Sequence, residues 1–326
     1  AARFARGGPR AIAAAGVLAV GVLLGLAGLF PGYFGSSSLA SESSELVPHL
    51  IYLAAWAAAA VLIAMGGARQ RTGALLAAGT SIVTLGLFVA DAGTAATGGV
   101  SQIGVGLFIS LAGWVACTAG AVVALVRGGA GRPARPRGTD TVVHLALGLV
   151  AAIGAAIAFA PSWDRYTLHT SAGASQSITE GYAFANPGVV IAGDVLVMAA
   201  LVAVVLVATL WRPVRFGAAL VVGASVPMVA QAISALLQIH GPVSPLQFGV
   251  TPAQAAGIGL TISPSLTAAF WIYCAFVLGL LLTWSLMLAT PAPAPPAPRP
   301  ASGSAGPAYN PAAAAGRLDA TSSAPG

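Results

Sequence analysis

Hydrophobic and polar positions along the chain fall into long blocks. Eight apolar runs, 11–30, 48–65, 73–90, 103–126, 142–160, 189–210, 217–239 and 266–288, are separated by short polar segments. About twenty apolar residues are needed to cross the hydrocarbon core of a bilayer as a helix. The pattern predicts an all-α, polytopic membrane helix bundle with eight transmembrane helices. No small-x-small cleavage site precedes a soluble domain after the first run, so that run is read as a retained span and not as a signal peptide. The chain does not begin with Met, and whether residues precede Ala1 is left open.

The polar segments orient these spans. With eight spans, Arg3, Arg6, Arg10, Arg69, Arg71, Arg127, Arg132, Arg135, Arg137, Arg212, Arg215, Arg299 and Arg317 all fall on one side. Only Arg165 falls on the other, in company with Glu42, Glu45, Asp91, Asp164 and Glu180. Seven or nine spans would scatter the arginines over both faces. The positive-inside rule then makes both termini cytoplasmic and the protein a multi-pass component of the plasma (inner) membrane. The organisation expected is a cytoplasmic arm (1–10), a four-helix membrane unit (11–126), an arginine-rich cytoplasmic linker (127–141), a second four-helix unit (142–289) and a cytoplasmic tail (290–326). Six prolines in the first ten residues of 291–326, followed by Gly, Ser and Ala, predict a disordered tail of polyproline II character.

The two four-span units resemble each other. Arg71-Thr-Gly-Ala-Leu-Leu-Ala-Ala-Gly-Thr-Ser81 aligns with Arg215-Phe-Gly-Ala-Ala-Leu-Val-Val-Gly-Ala-Ser225. Spans four and eight share Trp-x-x-Cys (Trp114 to Cys117, Trp271 to Cys274), and spans one and five end in a proline followed by an aromatic (Pro31, Tyr33; Pro161, Trp163). Three matches in the same order predict a 4+4 internal repeat. Units with an even number of spans enter from the same side, so their relating axis would run along the membrane normal. Shared membrane composition is the alternative source of the matches. Gly21-x-x-x-Gly25 and Gly148-x-x-x-Ala152 are read as packing devices that let helices approach closely.

Composition narrows the class further. Hydrophobic residues make up 57% of the 326 and charged residues only 7%, against about 25% charged in soluble domains. That excludes a soluble globular protein, a nucleic-acid binder and a coiled coil, and the long apolar runs, in place of alternating ten-residue strands, exclude an outer-membrane barrel. The net charge of +6 comes from loop arginines, without a single lysine, and reads as topology, not as a nucleic-acid footprint. Cys117 and Cys274 lie inside apolar runs and read as small buried hydrophobes, with no disulfide framework. In its arginine-only loops, eight spans and Pro/Ala tail the chain resembles multi-pass membrane proteins of mycobacteria and related actinobacteria with no assigned activity. The resemblance is one of composition, and it implies an envelope location without catalytic residues to transfer.

Ionisable residues within spans are functional candidates, because burying them in a bilayer is unfavourable. Asp194 lies about 7 Å below the outer boundary of the sixth span and Gln231 about 21 Å above the inner boundary of the seventh, at 1.5 Å per residue. In a core about 30 Å thick these depths nearly coincide. Pro227 frees the carbonyl near Gly223, so Asp194, Gln231 and that kink form the expected polar cluster. At the aligned offset their counterparts are Leu50, Leu87 and Val83, which confines the cluster to one half. A single interhelical hydrogen bond, with Asp194 reaching outward, is the plainer alternative. Asp91 is expected at the outer rim, facing water, with His49 and His144 near span ends. No metal-ligand spacing or cofactor motif occurs.

Two external loops carry the remaining candidates. Segment 161–188 holds Trp163, Asp164, Arg165, Tyr166, His169, Glu180 and Tyr182, a set suited either to recognising a ligand or to capping the bundle. Segment 240–265 has no charge, and Thr251-Pro252 opens a short helix stopped by Gly257, expected to lie on the membrane surface or dip into it. Three functional classes follow. A non-enzymatic accessory or scaffold subunit of an envelope complex requires a membrane-protein partner and little intramembrane polarity, and ranks first. A transporter or lipid-handling protein, with its site at the repeat interface near Asp194 and Gln231, ranks second. An enzyme built on Asp164, His169 and Glu180 ranks third. The bilayer itself is the one partner common to all three.

Overall fold

The computed structural model describes residues 8–97, 103–128, 132–133, 139–180, 184 and 188–290. The tail, most of the N-terminal arm, most of the arginine-rich linker, Tyr182 and the side chain of Glu180 lie outside the described residues.

Among the described residues eight long helices form the body: α1 (Pro9–Gly28), α2 (Ser43–Met65), α3 (Gly67–Thr97), α4 (Val105–Gly128), α5 (Thr139–Phe159), α6 (Gly188–Leu210), α7 (Val214–His240) and α9 (Ala268–Ala289). All eight are long and apolar enough to cross a membrane, and this is a multi-pass membrane protein. The six-residue α8 (Pro252–Gly257) lies in the α7–α9 connection. Thr251 caps it as expected. Its hydroxyl accepts from the Gln254 N–H at 3.3 Å, while the Gln254 amide oxygen accepts from the Thr251 N–H at 2.9 Å.

The helices extend beyond the apolar runs where polar residues continue the ladder. α3 has 31 residues because Asp91 to Thr97 stay helical after hydropathy falls. Thr94 donates to the Ala90 carbonyl on the way. α2 likewise begins at Ser43 and carries Pro48 inside it. Between α2 and α3 the chain reverses on Gly66 and Gly67, whose φ values of 74° and 61° favour glycine.

α1 packs on α2 and α4, and α3 packs on α2 and α4; α5 packs on α6 and α9, and α7 packs on α6 and α9. Each group of four is therefore a closed ring with its own apolar core. Across the two groups α2 meets α7, α3 meets α6 and α3 meets α7. The α3–α7 crossing is glycine on glycine. A methyl carbon added at Gly79 would stand 2.5 Å from the Leu220 carbonyl oxygen, and one at Gly223 would overlap the Leu76 carbonyl and Gly79. Close approach follows from the missing side chains. Gly21 packs in the same way on Cys117 and Gly113, and Gly148 on Val205 and Thr209.

Two prolines shape the crossing region. Pro227 in α7 has no N–H for the Gly223 carbonyl, and Thr80 of α3 donates its hydroxyl to that oxygen at 3.1 Å. Pro48 in α2 likewise leaves the Ser44 carbonyl without its partner, and Ser234 of α7 donates to it at 2.8 Å. Each break in one group is closed by a hydroxyl of the other.

Loops sort to two ends. At one end β3 (Arg132–Pro133) pairs with β6 (Trp211–Arg212), and Gln70 reaches the Ala124 carbonyl. Arg69, Arg71, Arg212 and Arg215 gather there, with Arg71 and Arg215 both placed over the Phe216 ring. At the other end β1 (Gly32–Phe34) pairs with β2 (Ser37–Ser38), and Phe34 bridges Ile103. A three-stranded antiparallel sheet of order β5-β4-β7 also lies there, built from β4 (Asp164–His169), β5 (Ser175–Glu180) and β7 (Thr261–Leu266). The uncharged segment thus supplies a strand. Outward residues such as Leu23, Ile157 and Leu278 leave an apolar exterior for lipid. Trp271 belongs to that exterior at 61% exposure, whereas Trp114 turns inward and donates to Thr84 at 3.1 Å. The shared Trp-x-x-Cys spacing therefore does not mark matching environments.

Gly79→Ala should lower the stability of the purified protein by roughly 1–3 kcal/mol, the usual range for overpacking. Gly16, with open space around its Cβ position, serves as control. Thermal unfolding in one detergent should separate the two variants. Equal melting temperatures would mean that the crossing tolerates separation.

Candidate functional site

A cavity of about 220 Å³ opens between the two groups, toward the sheet-bearing end. Its walls come from α2 (Glu45, Pro48, His49, Tyr52), α3 (Thr84, Leu87, Phe88, Ala90, Asp91), α6 (Asp194), α7 (Gln231, Ser234) and the end of α5 (Phe159). Helical spacing explains the convergence: Glu45, His49 and Tyr52 recur at i, i+4 and i+7 on α2, as do Thr84, Phe88 and Asp91 on α3.

Three carboxylates share the space at graded depth. Glu45 is exposed at the mouth, Asp91 is half-buried, and Asp194 is 9% exposed. Asp91 interacts electrostatically with both of the others. Among the described residues no lysine or arginine lines the cavity. Tyr33, reaching in from β1, donates its hydroxyl to Asp91 Oδ2 at 2.9 Å. Burial and that carboxylate hold the Tyr33 phenol well above its ordinary pKa, so it stays a donor. His49 donates Nδ1–H to the Glu45 carbonyl at 2.8 Å and stands edge-on between the Tyr33 and Tyr52 rings, 5.8 and 5.6 Å away. Gln231 donates to the Tyr52 hydroxyl at 3.1 Å. Asp194 accepts no hydrogen bond from any described side chain.

Asp194 and Gln231, the intramembrane pair singled out from sequence, both line this cavity but do not bond each other. Asp91 is not on an open rim as expected; it is tied to Tyr33 inside. Glu45, His49, Tyr52, Thr84, Ser234 and Tyr33 were not expected in the cluster. The signal for the α2 residues was present in the i, i+4, i+7 spacing of Glu45, His49 and Tyr52, which the hydropathy boundary at residue 48 cut.

The loop residues have other surroundings. Trp163 turns down into the second group, donating its indole N–H to the Ala158 carbonyl at 2.8 Å and packing on Phe159, Phe270 and Tyr273. Asp164, Arg165 and His169 lie along β4. Asp164 stands opposite Glu180 on one side and Leu266 on the other. His169 sits five residues away, about 17 Å at the rise of a strand. Arg165 and His169 are exposed. Tyr166 is buried under Phe248, ring centres 5.3 Å apart. Asp164 and His169 are thus held at opposite ends of one strand, too far apart to act on one substrate atom. Among the described residues no group of His, Cys, Asp and Glu converges as a metal site.

Comparison with protein-family models, with curated proteins and with solved structures gives no match to this chain.

Partial burial raises the Asp164 carboxyl above its ordinary value, opposed by hydrogen bonds from its own backbone and from Tyr166. A carboxyl raised in the fold binds protons more tightly there than in the unfolded chain. Its contribution to stability is therefore greatest at low pH and is lost as pH rises through the raised value. Between pH 4 and pH 7 the melting temperature of Asp164→Asn should gain on that of the parent as pH increases. A constant difference would contradict the assignment.

Proposed function

We propose that the protein is a membrane transporter that takes a positively charged solute into the cavity between two four-helix units. The observation that carries this reading is a cavity of about 220 Å³ bearing Glu45, Asp91 and Asp194, with no arginine or lysine among the described residues that line it. Ionisable groups within spans mark solute and ion pathways, and sites at the interface of repeated units are characteristic of secondary transporters.

The internal 4+4 repeat belongs to the same proposal. Neighbour relations within α1–α4 match those within α5, α6, α7 and α9, and the contacts between units interchange, α2–α7 with α3–α6, while α3–α7 maps onto itself. Gly79 and Gly223, aligned from sequence, touch each other, as residues on a two-fold axis do. Gly73 packs on the Ala59 carbonyl and Gly217 on that of Ala208. This pairing sets α2 against α6 with an offset five residues larger than that of the aligned glycines. Asp194 then corresponds to Glu45, not to the exposed Leu50. Trp114 donates to Thr84, and the Tyr273 hydroxyl donates at 2.9 Å to the carbonyl of Met228, which aligns with Thr84 at the glycine offset, so Trp114 corresponds to Tyr273. An acidic position is thus common to both units, while His49, Tyr52 and Asp91 occur only in the first and Gln231 only in the second.

The arginine-bearing end faces the cytoplasm in this reading, with both termini, and the cavity mouth faces outward. The compositional resemblance to actinobacterial membrane proteins favours the plasma membrane. The accessory-subunit reading drew on scarce intramembrane polarity, and three carboxylates around one cavity favour transport instead.

In proteoliposomes, rapid jumps in external cation concentration, tested across sodium, potassium, ammonium and putrescine, should evoke a charge displacement with at least one cation. Asp194→Asn should abolish it, whereas Asp164→Asn should not. Silence with all four, together with a stoichiometric partner co-purifying from native membranes, would overturn transport in favour of an accessory subunit.

A further inference from the structure

We propose that the cavity is built for a small organic ammonium ion and not for a bare metal ion, with Asp194 as its counter-charge. This rests on the reading of the cavity as a solute site and specifies the class of solute.

Asp194 supplies the first argument. It is nine-tenths buried, lines the cavity and accepts no hydrogen bond from a described side chain. A buried carboxylate without a partner is strongly unfavourable in apolar surroundings, and a cation in the cavity removes that penalty. The Asp91 carboxylate differs in being already engaged by Tyr33.

Coordination chemistry supplies the second. Hard cations take six to eight oxygen ligands at about 2.0–2.6 Å. The carboxylates here approach from three different helices and, with His49, do not converge as a metal-binding group among the described residues. A volume of about 220 Å³ equals that of roughly seven waters at about 30 Å³ each. That is spacious for a dehydrated inorganic ion and below the usual range for drug-sized ligands. A cation of a few carbon and nitrogen atoms matches it.

The wall supplies the third. Tyr52, Phe88, Phe159 and His49 bring rings to the same cavity, and aromatic rings beside carboxylates suit alkylammonium groups, whose charge is spread over an apolar skeleton. Polar groups at the wall are rich in acceptors. Gln231 uses its amide N–H on Tyr52, which leaves the amide oxygen as an acceptor. A primary ammonium ion offers donors and a quaternary one its charge and methyl groups; neither brings an acceptor, so both suit a wall of acceptors and rings.

Binding to the purified full chain in detergent tests this apart from transport. Putrescine and tetramethylammonium should raise the melting temperature saturably, and sodium or calcium chloride at equal ionic strength should not. Asp194→Asn should weaken the organic cations roughly tenfold or more, as expected for loss of a charge-assisted contact, while Asp164→Asn retains them. If the Asn variant is not monodisperse, competition for radiolabelled putrescine on the parent protein replaces it, with tetramethylammonium expected to displace and sodium not. Asp194-dependent protection by sodium or calcium alone would overturn the organic class and leave cation transport standing. Absence of protection by every cation would overturn both.

Discussion

A polar group buried among apolar helices must find a partner within the protein, and this constraint organises the whole structure. Pro48 and Pro227 each remove one backbone donor, leaving the Ser44 and Gly223 carbonyls open. The nearest remedies lie on the opposite four-helix group, in the hydroxyls of Ser234 and Thr80. The same residues that break α2 and α7 therefore join the two groups. The glycine contact at Gly79 and Gly223 allows this by bringing the backbones within reach of short side chains. Away from the interface each ring has an apolar core and an apolar exterior, and few polar demands arise.

The interface is also where polarity is not fully satisfied. Tyr33 meets Asp91 and Gln231 meets Tyr52, yet Asp194 is left facing a cavity. At the Gly79–Gly223 crossing α3 meets α7; toward the sheet α3 stays packed on α6 at Gly86 and Gly193, and a cavity opens beside that contact. The β5-β4-β7 sheet ties the α5 end to the α9 start through Thr267, which donates to the Trp163 carbonyl at 2.7 Å. It acts as a stay over the second group. β1 and Tyr33 do the corresponding work over the first, and there the aromatic also holds a cavity carboxylate. One unit thus carries most of the site's chemistry and the other the carboxylate without a partner.

Much of the architecture was legible in the chain because a bilayer allows few solutions. Eight apolar runs gave eight helices, and Pro227 with its freed carbonyl at Gly223 was read correctly from spacing alone. Helix ends were less legible, since Ser43 to Glu45 and Asp91 to Thr97 stay helical without being an apolar run. That error concealed the site: trimming α2 at residue 48 removed Glu45 from the bundle, and Asp91 became a rim residue. The dense polar-aromatic loop drew attention for its composition, but strand pairing separates Asp164 from His169, and Trp163 turns into the core. Sequence density is not spatial convergence. The Trp-x-x-Cys match failed for a related reason, because Trp271 and Trp114 sit on opposite faces of their helices relative to the core.

The central claim is that water and cations reach a negatively charged cavity between the two helix groups. Its most direct test is the rate at which Ser234→Cys, in a background lacking Cys117 and Cys274, reacts with membrane-impermeant thiol reagents of opposite charge in proteoliposomes. Ser234 lines the cavity beside the carboxylates. The account predicts modification from the sheet-bearing side, with the cationic reagent faster by roughly tenfold or more, as a focused negative potential requires. It also predicts that Asp194→Asn narrows that ratio. Equal rates for the two reagents, or reaction from the arginine-bearing side alone, would contradict it.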